Sequence, residues 1–286
     1  MDHVMTGGAP FMVLRPERQT VPLVVASAHS GRAYDHAFLA ESRLDPVTLR
    51  RSEDSFVDEL FAAAPSVGAP LIAAEFPRAY CDPNREAWEL DPTMFEDALP
   101  PWVNIHSPRV AAGLGTIARV VSSGDQIYRK KLRFADAERR VRECWQPFHQ
   151  GLLGLLDETT CRFGAVLLVD CHSMPTGALS GRGPVDFVIG DVHGTSCSEE
   201  ITRLIETELM RLGYRVRRND PYAGGYITRT YGRPKTGRHA VQIEVARRLY
   251  MDEVRFERRA EFRRVARQME AVLVALAVQV PAILGL

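Results

Sequence analysis

Ala165-Val166-Leu167-Leu168-Val169-Asp170-Cys171-His172-Ser173-Met174-Pro175 is the stretch whose reading decides the fold. The apolar residues 165 to 169 show no alternation, which describes a strand buried on both faces, the type found in parallel sheets covered by helices. An acid and an imidazole follow where that strand is expected to end. In an open α/β sheet, chemistry gathers in the crevice beyond the strand C-termini. A second such run, Pro22 to Ala28, also ends in a histidine, His29, followed by Ser30 and Gly31. Two histidines at the ends of separate parallel strands can hold one metal ion.

Working outward, Phe56, Val57, Leu60 and Phe61 share a helical face behind Ser52-Glu53-Asp54, and Gly68 ends that helix. Pro70 to Phe76 reads as another strand. Residues 78 to 101 form a long, polar, turn-rich connection, which favours a functional loop. Residues 114 to 121, with a turn at Gly124-Asp125, suggest a hairpin. A helix is expected from about Asp136, with Pro147 kinking or interrupting it and His149 beside the stripe of Phe148, Leu152 and Leu155 or Leu156. Asp186 to Asp191, Tyr214 to Arg218 and Ala240 to Ala246 read as further strands. Ser196 and Glu199 have capping-box spacing for a helix running to Leu212, with Gly213 as its C-cap. In the late strand Gln242 and Glu244 are two apart and share a face. A final helix buries Phe262, Val265, Met269, Val272 and Leu276. These alternations predict a single-domain, three-layer α/β/α fold on a mostly parallel mixed sheet, spanning 21–286 behind a loose segment 1–20.

The bulk properties narrow the class. The chain has 286 residues, with 36 basic and 36 acidic side chains and a formal net charge of zero. Such a balance gives no general attraction to nucleic acid. The arginine-rich segments near 138–142 and 258–264 also carry acids and read as solvated helix faces. Cys81, Cys144, Cys161, Cys171 and Cys197 form no close pair, so a reducing, cytoplasmic setting is expected rather than a disulfide scaffold. No secretory leader pattern opens the chain, and the apolar last 16 residues, with Gln279 and Pro281, are too short for a membrane span. Neither nucleic acid nor membrane is an expected partner.

One ordered series of landmarks goes further. It comprises His29-Ser30-Gly31, Glu53-Asp54 before Phe56 and Asp58-Glu59-Leu60, Asp82-Pro83-Asn84-Arg85, Gly115-Thr116-Ile117-Ala118-Arg119 and Pro147-Phe148-His149. It continues with Asp170-Cys171-His172-Ser173-Met174-Pro175, Gly190-Asp191, Gly194-Thr195-Ser196, Gly224-Gly225-Tyr226-Ile227 and Gln242-Ile243-Glu244. Over roughly residues 22 to 250 the chain resembles the N-formylglutamate amidohydrolase family. The resemblance implies a zinc-dependent amide hydrolase, related in fold to the zinc carboxypeptidases, that splits N-formyl-L-glutamate into formate and glutamate late in histidine breakdown. The chain departs from the pattern at Ala28 and Pro83, and at Phe148, where a tyrosine is common and a substrate contact is expected to change.

The resemblance also implies a site. One Zn²⁺ per chain would be held by His29, His172 and Asp54, leaving a position for water. Glu53 and Asp58 remain alternative acids, and manganese or cobalt would suit the same donors. Asp170 would orient a ligand histidine or simply end a strand. Cys171 should point the other way, as a packed thiol. Glu244 would take a proton from the attacking water and return it to the leaving nitrogen, unless it only pairs with Arg247 or Arg248. Arg85 and Asn84 would grip a substrate carboxylate, with Arg229 as a second clamp. Gly225, with Gly224, would bring backbone close to the ligand or form a plain turn. His149 would contact substrate or fill a helix face. The expected partner is thus a small N-acyl amino acid carrying a carboxylate, and a homo-oligomer is compatible with the sequence. Two rivals stay open: another zinc N-acyl amino acid deacylase or carboxypeptidase-like hydrolase, and a non-catalytic carboxylate-binding protein on a hydrolase scaffold.

Overall fold

The structure is a computed structural model that describes residues 9–179, 183 and 185–286. Among these residues a seven-stranded sheet forms from β1 (Phe11–Leu14), β2 (Leu23–Ser27), β3 (Leu71–Ala74), β4 (Val166–Met174), β5 (Phe187–Gly190), β6 (Val216–Arg218) and β7 (Arg238–Ala246). The strand order is β1-β3-β2-β4-β7-β5-β6. The pairs β2/β3, β2/β4, β4/β7 and β5/β6 are parallel, whereas β5 runs antiparallel to β7. The result is the mostly parallel mixed sheet with helices on both sides that the sequence pattern predicts. Of the segment expected to be loose, Phe11–Leu14 is a strand, and residues 1–8 lie outside the described set.

The chain divides into two compact units. One comprises Val13–Ser27, Phe56–Ala73 and Leu152–Leu286. Its centre is β4 and β7, buried along almost their whole length, which is why both read as continuous apolar runs. The helix Glu199–Arg211 buries Ile201, Ile205 and Leu209 at intervals of four. It packs on the last helix, Phe262–Ile283, which also meets Val57–Leu60. By length and composition that last helix would suffice to cross a membrane. Its stripe of Val265, Met269, Val272, Leu273, Leu276 and Val280 is buried within this unit.

The other unit comprises the described part of Met1–Met12, Ala28–Ser55 and Ala74–Gly151. Here Arg140 corrects the expectation of a solvated arginine face. Its side chain is fully buried, with the guanidinium carbon 4.2 Å from the Tyr80 ring centroid. It donates to Tyr128 Oη at 2.6 Å, to Glu41 Oε2 at 3.0 Å and to the Tyr80 carbonyl at 3.3 Å. Burying a guanidinium is costly unless its donors and faces are used; here oxygens take Nη1 and Nη2 and aromatic rings cover the faces, while Nε has no hydrogen-bond partner among the described residues. The contacts anchor the start of the polar loop that follows Tyr80.

Several local expectations change in the structure. The helix expected to be kinked or interrupted by Pro147 runs as Phe134–Arg140, a π-helical turn at Val141–Trp145, and Gln146–Phe163, so the α-helix is interrupted just ahead of the proline. Proline lacks an N–H and crowds the preceding turn, and the wider π spacing just ahead of Pro147 absorbs both. The predicted hairpin is reduced to a bridge between Val120 and Gln126. Ser196 does not cap the next helix. Its hydroxyl donates to the Ala240 carbonyl, and Ser198 is the N-cap residue. The strand expected at 165–170 continues to Met174, so His172 lies within β4 rather than beyond it.

Candidate active site

His29 stands two residues past the end of β2. The close fit of the chain here explains the glycine that follows: a Cβ on Gly31 would fall 2.1 Å from the Phe76 carbonyl oxygen. His29 Nε2 lies 2.7 Å from Asp82 Oδ1, and its Nδ1 lies 3.4 Å from Asp54 Oδ2. The Asp54 amide donates to the His29 carbonyl at 2.9 Å, so backbone as well as side chain joins the two residues. Asp54 is not the helix-start acid that its neighbours suggest, because the helix begins only at Val57, after Phe56 in a left-handed conformation. Glu53 is committed elsewhere. Arg50 grips both its oxygens at 3.0 Å, and Ser55 and Tyr34 donate to it at 2.7 and 3.2 Å. Asp58 belongs to the Val57–Leu60 helix. Of the three acids weighed, Asp54 is the one beside His29.

On β4, Asp170 and His172 point the same way, and His172 Nε2 lies 3.0 Å from Asp170 Oδ1. Asp170 also accepts from Thr228 Oγ1 at 3.4 Å. Across the sheet, Asp170 is the register partner of Gln242, and His172 that of Glu244. Glu244 is buried and accepts a 2.7 Å hydrogen bond from Gln242 Nε2. Cys171 points to the opposite face, with its thiol on the Val169 carbonyl. Burial pushes that thiol well above its usual range, with the nearby Asp170 adding to the effect, so no thiolate forms near neutrality.

One ligand atom each of His29, Asp54 and His172 lies within 4.8 Å of the others, and all three residues are buried. Two imidazoles and a carboxylate are the donor set of a catalytic zinc site and suit several divalent ions. Each imidazole also has its Nε2 held by an aspartate, Asp82 or Asp170. An Nε2–H donated to a carboxylate leaves Nδ1 as the basic nitrogen, so the tautomers match a metal-holding role. The residues therefore fit a divalent cation.

Sequence reasoning assigned no role to Asp82, yet it is a hub. Its Oδ1 faces His29 and accepts the Asn84 amide at 2.8 Å, and its Oδ2 takes Arg78 at 2.7 Å with Arg85 at 3.8 Å. Burial alone would raise its pKa. Arg78, His29 and Arg85 override that and hold the carboxyl well below the usual range. The Asp82-Pro83-Asn84-Arg85 run carried the signal, since an acid three residues before an arginine in a polar loop is a ready ionic partner.

Arg85 donates Nε to the Leu114 carbonyl at 2.9 Å and Nη1 to the Asn84 carbonyl at 2.8 Å. Burial, partly offset by Asp82, lowers its pKa to about 10, which still leaves a cation at neutral pH. The π-helical turn places Trp145 so that its Nε1 donates to the Arg85 carbonyl at 2.9 Å. His149 lies under that indole, with ring centroids 3.9 Å apart, and its Nε2 is 2.8 Å from the Pro83 carbonyl. His149 thus braces the loop bearing Asn84 and Arg85. Phe148 is fully buried against Phe11 and Phe76, so the missing hydroxyl belongs to the core and not to a substrate contact. Arg229 is exposed and donates to the Gly224 carbonyl at 2.8 Å, and the Gly225 amide donates to Gln242.

A family model described as N-formylglutamate amidohydrolase matches residues 21–251. The chain belongs to the N-formylglutamate amidohydrolase family. This amidohydrolase is 31% identical to the N-formylglutamate deformylase of Pseudomonas aeruginosa over 252 residues, 84% of this chain and 86% of that protein. It is 29% identical to the N-formylglutamate deformylase of Pseudomonas putida over 251 residues, again 84% and 86%. The crystal structure of N-formylglutamate amidohydrolase from Ralstonia eutropha JMP134 matches it with a TM-score of 0.89 at 38% identity, covering 94% of this chain and 97% of that one. As a member of this family the chain is an amide-hydrolysing enzyme.

Proposed function

We propose that this amidohydrolase cleaves the amide of N-formyl-L-glutamate, or of a closely related N-acyl amino acid, with a divalent cation, zinc by preference, held by His29, Asp54 and His172. The observation that carries this reading is the buried His29–Asp54–His172 cluster with Glu244 beside His172 in the strand register. When bound, the cation would polarise the acyl carbonyl and make water a better nucleophile. Asp82 and Asp170 keep the two imidazoles in the required tautomer. Glu244, buried on β7, accepts a proton from the attacking water and delivers it to the leaving nitrogen, which departs as the free amine of the amino acid. Arg85 supplies charge for a substrate carboxylate. Its Nε and Nη1 rest on neutral carbonyls, which orient the guanidinium, and its Nη2, 3.8 Å from Asp82 Oδ2, shares that acid with Arg78. Asn84 and His149 keep that loop in place. Gly225, the N-cap of the helix Tyr226–Tyr231, and Arg229 within that helix meet the amino-acid portion. Five unpaired cysteines agree with a cytoplasmic setting.

The deciding experiment pairs elemental analysis of the untreated protein with formate release from N-formylglutamate, set against acetyl- and succinyl-amino acids. About one equivalent of metal with formyl preference is the expected result. Glu244→Gln should keep that metal and lose most turnover. A metal-free protein that remains active, or full activity in Glu244→Gln, would overturn the mechanism.

A further inference from the structure

A buried amide joins the glycine loop to the carboxylate of β7. Gln242 is 4% exposed and Glu244 is 6% exposed. Gln242 Nε2 donates to Glu244 Oε1 at 2.7 Å, and Gln242 Oε1 accepts the Gly225 amide at 2.8 Å. Chemistry decides which end of the side chain is which. A backbone N–H only donates and an ionised carboxylate only accepts, so a flipped amide would oppose donor to donor and acceptor to acceptor.

Two consequences follow. The terminal torsion of a glutamate is broad when nothing holds it, and Gln242 narrows it by occupying one carboxylate oxygen. The loop at the other end of the amide is closely fitted. Gly224 has φ 128°, and a Cβ there would stand 2.9 Å from Val192 Cγ2. The Val192 amide donates to the Ala223 carbonyl at 2.7 Å, and Arg229 holds the Gly224 carbonyl. Gly225 precedes the short helix Tyr226–Tyr231 as its N-cap residue. Displacing this loop breaks the Gly225–Gln242 contact and removes one restraint on the amide that orients the carboxylate.

We propose that Gln242 is a positioning residue that ties the Gly224–Tyr226 loop to Glu244, so that a seated loop fixes which carboxylate oxygen faces the reaction. The proposal rests on the reading of Glu244 as the proton carrier. A residue that merely filled space at 242 would be replaceable by an apolar side chain of similar size. A residue that works through Glu244 would not.

The test measures kcat and KM for N-formylglutamate in Gln242→Met, Glu244→Gln and the double variant, with metal content and hydrogen exchange at Gly225 followed in each. Expected for Gln242→Met are unchanged metal, KM within about threefold, faster Gly225 exchange and kcat lower by about 10- to 100-fold, the weight of one hydrogen bond to a charged group. In the Glu244→Gln background, under single-turnover conditions, Gln242→Met should cost nothing further, because both changes disable one device. Should Gln242→Met fold poorly, Gln242→Asn keeps an uncharged amide but, one methylene shorter, cannot span from the Gly225 amide to Glu244. It should keep the native fold and still lose kcat. Normal kcat in either folded variant, or losses that multiply in the double variant, overturns the proposal. Full activity in Glu244→Gln would overturn the proton-carrier reading instead, so the two failures are distinguishable.

Discussion

Replacing Asp82 by asparagine removes one charge from a hub while preserving its shape. The amide Oδ1 can still accept from the Asn84 backbone and from His29 Nε2. Lost are the full negative charge behind His29 and the ion pair with Arg78 at 2.7 Å. Partners of this kind behind a metal-holding histidine are worth about 10- to 100-fold in metal affinity, or about 1.4 to 2.8 kcal/mol. The stability cost is separate. Arg85 keeps a buried charge whose acidic neighbour, 3.8 Å away, is gone. Breaking a fully buried pair costs about 3 to 5 kcal/mol. Arg78 is 21% exposed and water compensates it in part, which brings the expected loss to about 2 to 3 kcal/mol. Zinc affinity by competition with a chromophoric chelator and urea unfolding of the chelator-treated protein measure the two effects independently. Arg78→Ala is the control: it breaks the same ion pair and spares the His29 contact, so stability should fall while affinity falls far less. The pH dependence has a definite sign. The folded pKa of Asp82 is depressed, so its stabilisation is present above the unfolded value of about 3.9 and fades as pH falls through the lower folded value. The stability gap between wild type and Asp82→Asn should be flat from about pH 8 to 5 and close only in stronger acid. Zinc affinity within twofold of wild type, or a gap that widens on acidification, would refute the reasoning.

Other consequences are as direct. Arg85→Lys keeps a charge but cannot rest on the Leu114 and Asn84 carbonyls as a planar fork, so KM should rise about tenfold or more with a smaller change in kcat, as steady-state kinetics would register. Phe148→Tyr would bury a hydroxyl among Phe11 and Phe76, and chemical denaturation should show a loss of about 1 to 3 kcal/mol while KM stays at the wild-type value. Among the cysteines only Cys161 is exposed, while burial raises Cys144 and Cys197 to about 12, so a colorimetric thiol reagent at pH 8 should react quickly with one thiol per native chain and with all five after unfolding.

Apolar continuity made the strands legible. Residues 22–28 and 165–169 contain so little polarity that strands buried on both faces accommodate them best, and β2 and β4 lie there. Period-two spacing was equally informative, since it put Gln242 beside Glu244 and turned Cys171 away from His172. Arg140 misled because a charge in an arginine-rich helix reads as solvated, and nothing local announces that Phe38, Tyr80 and Tyr128 will surround it. Pro147 marked the place of an interruption but not its form: helix propensity counts a lost hydrogen bond but not the π-helical turn that accommodates it. The role of Asp82 lay in plain view in its four-residue run, but its partner His29 is far away along the chain.

What the sequence alone determined was the fold class, the family and the residue types available for chemistry, because periodicity, glycine placement and ordered motifs are properties of neighbours along the chain. Only the tertiary structure decided which acid stands by His29, that both imidazoles are held by aspartates, and that Gln242 bridges a loop to Glu244. Those outcomes depend on distances of about 3 Å between atoms that belong to separate strands and loops, and such distances come into being only when the sheet register and the loop closures are in place.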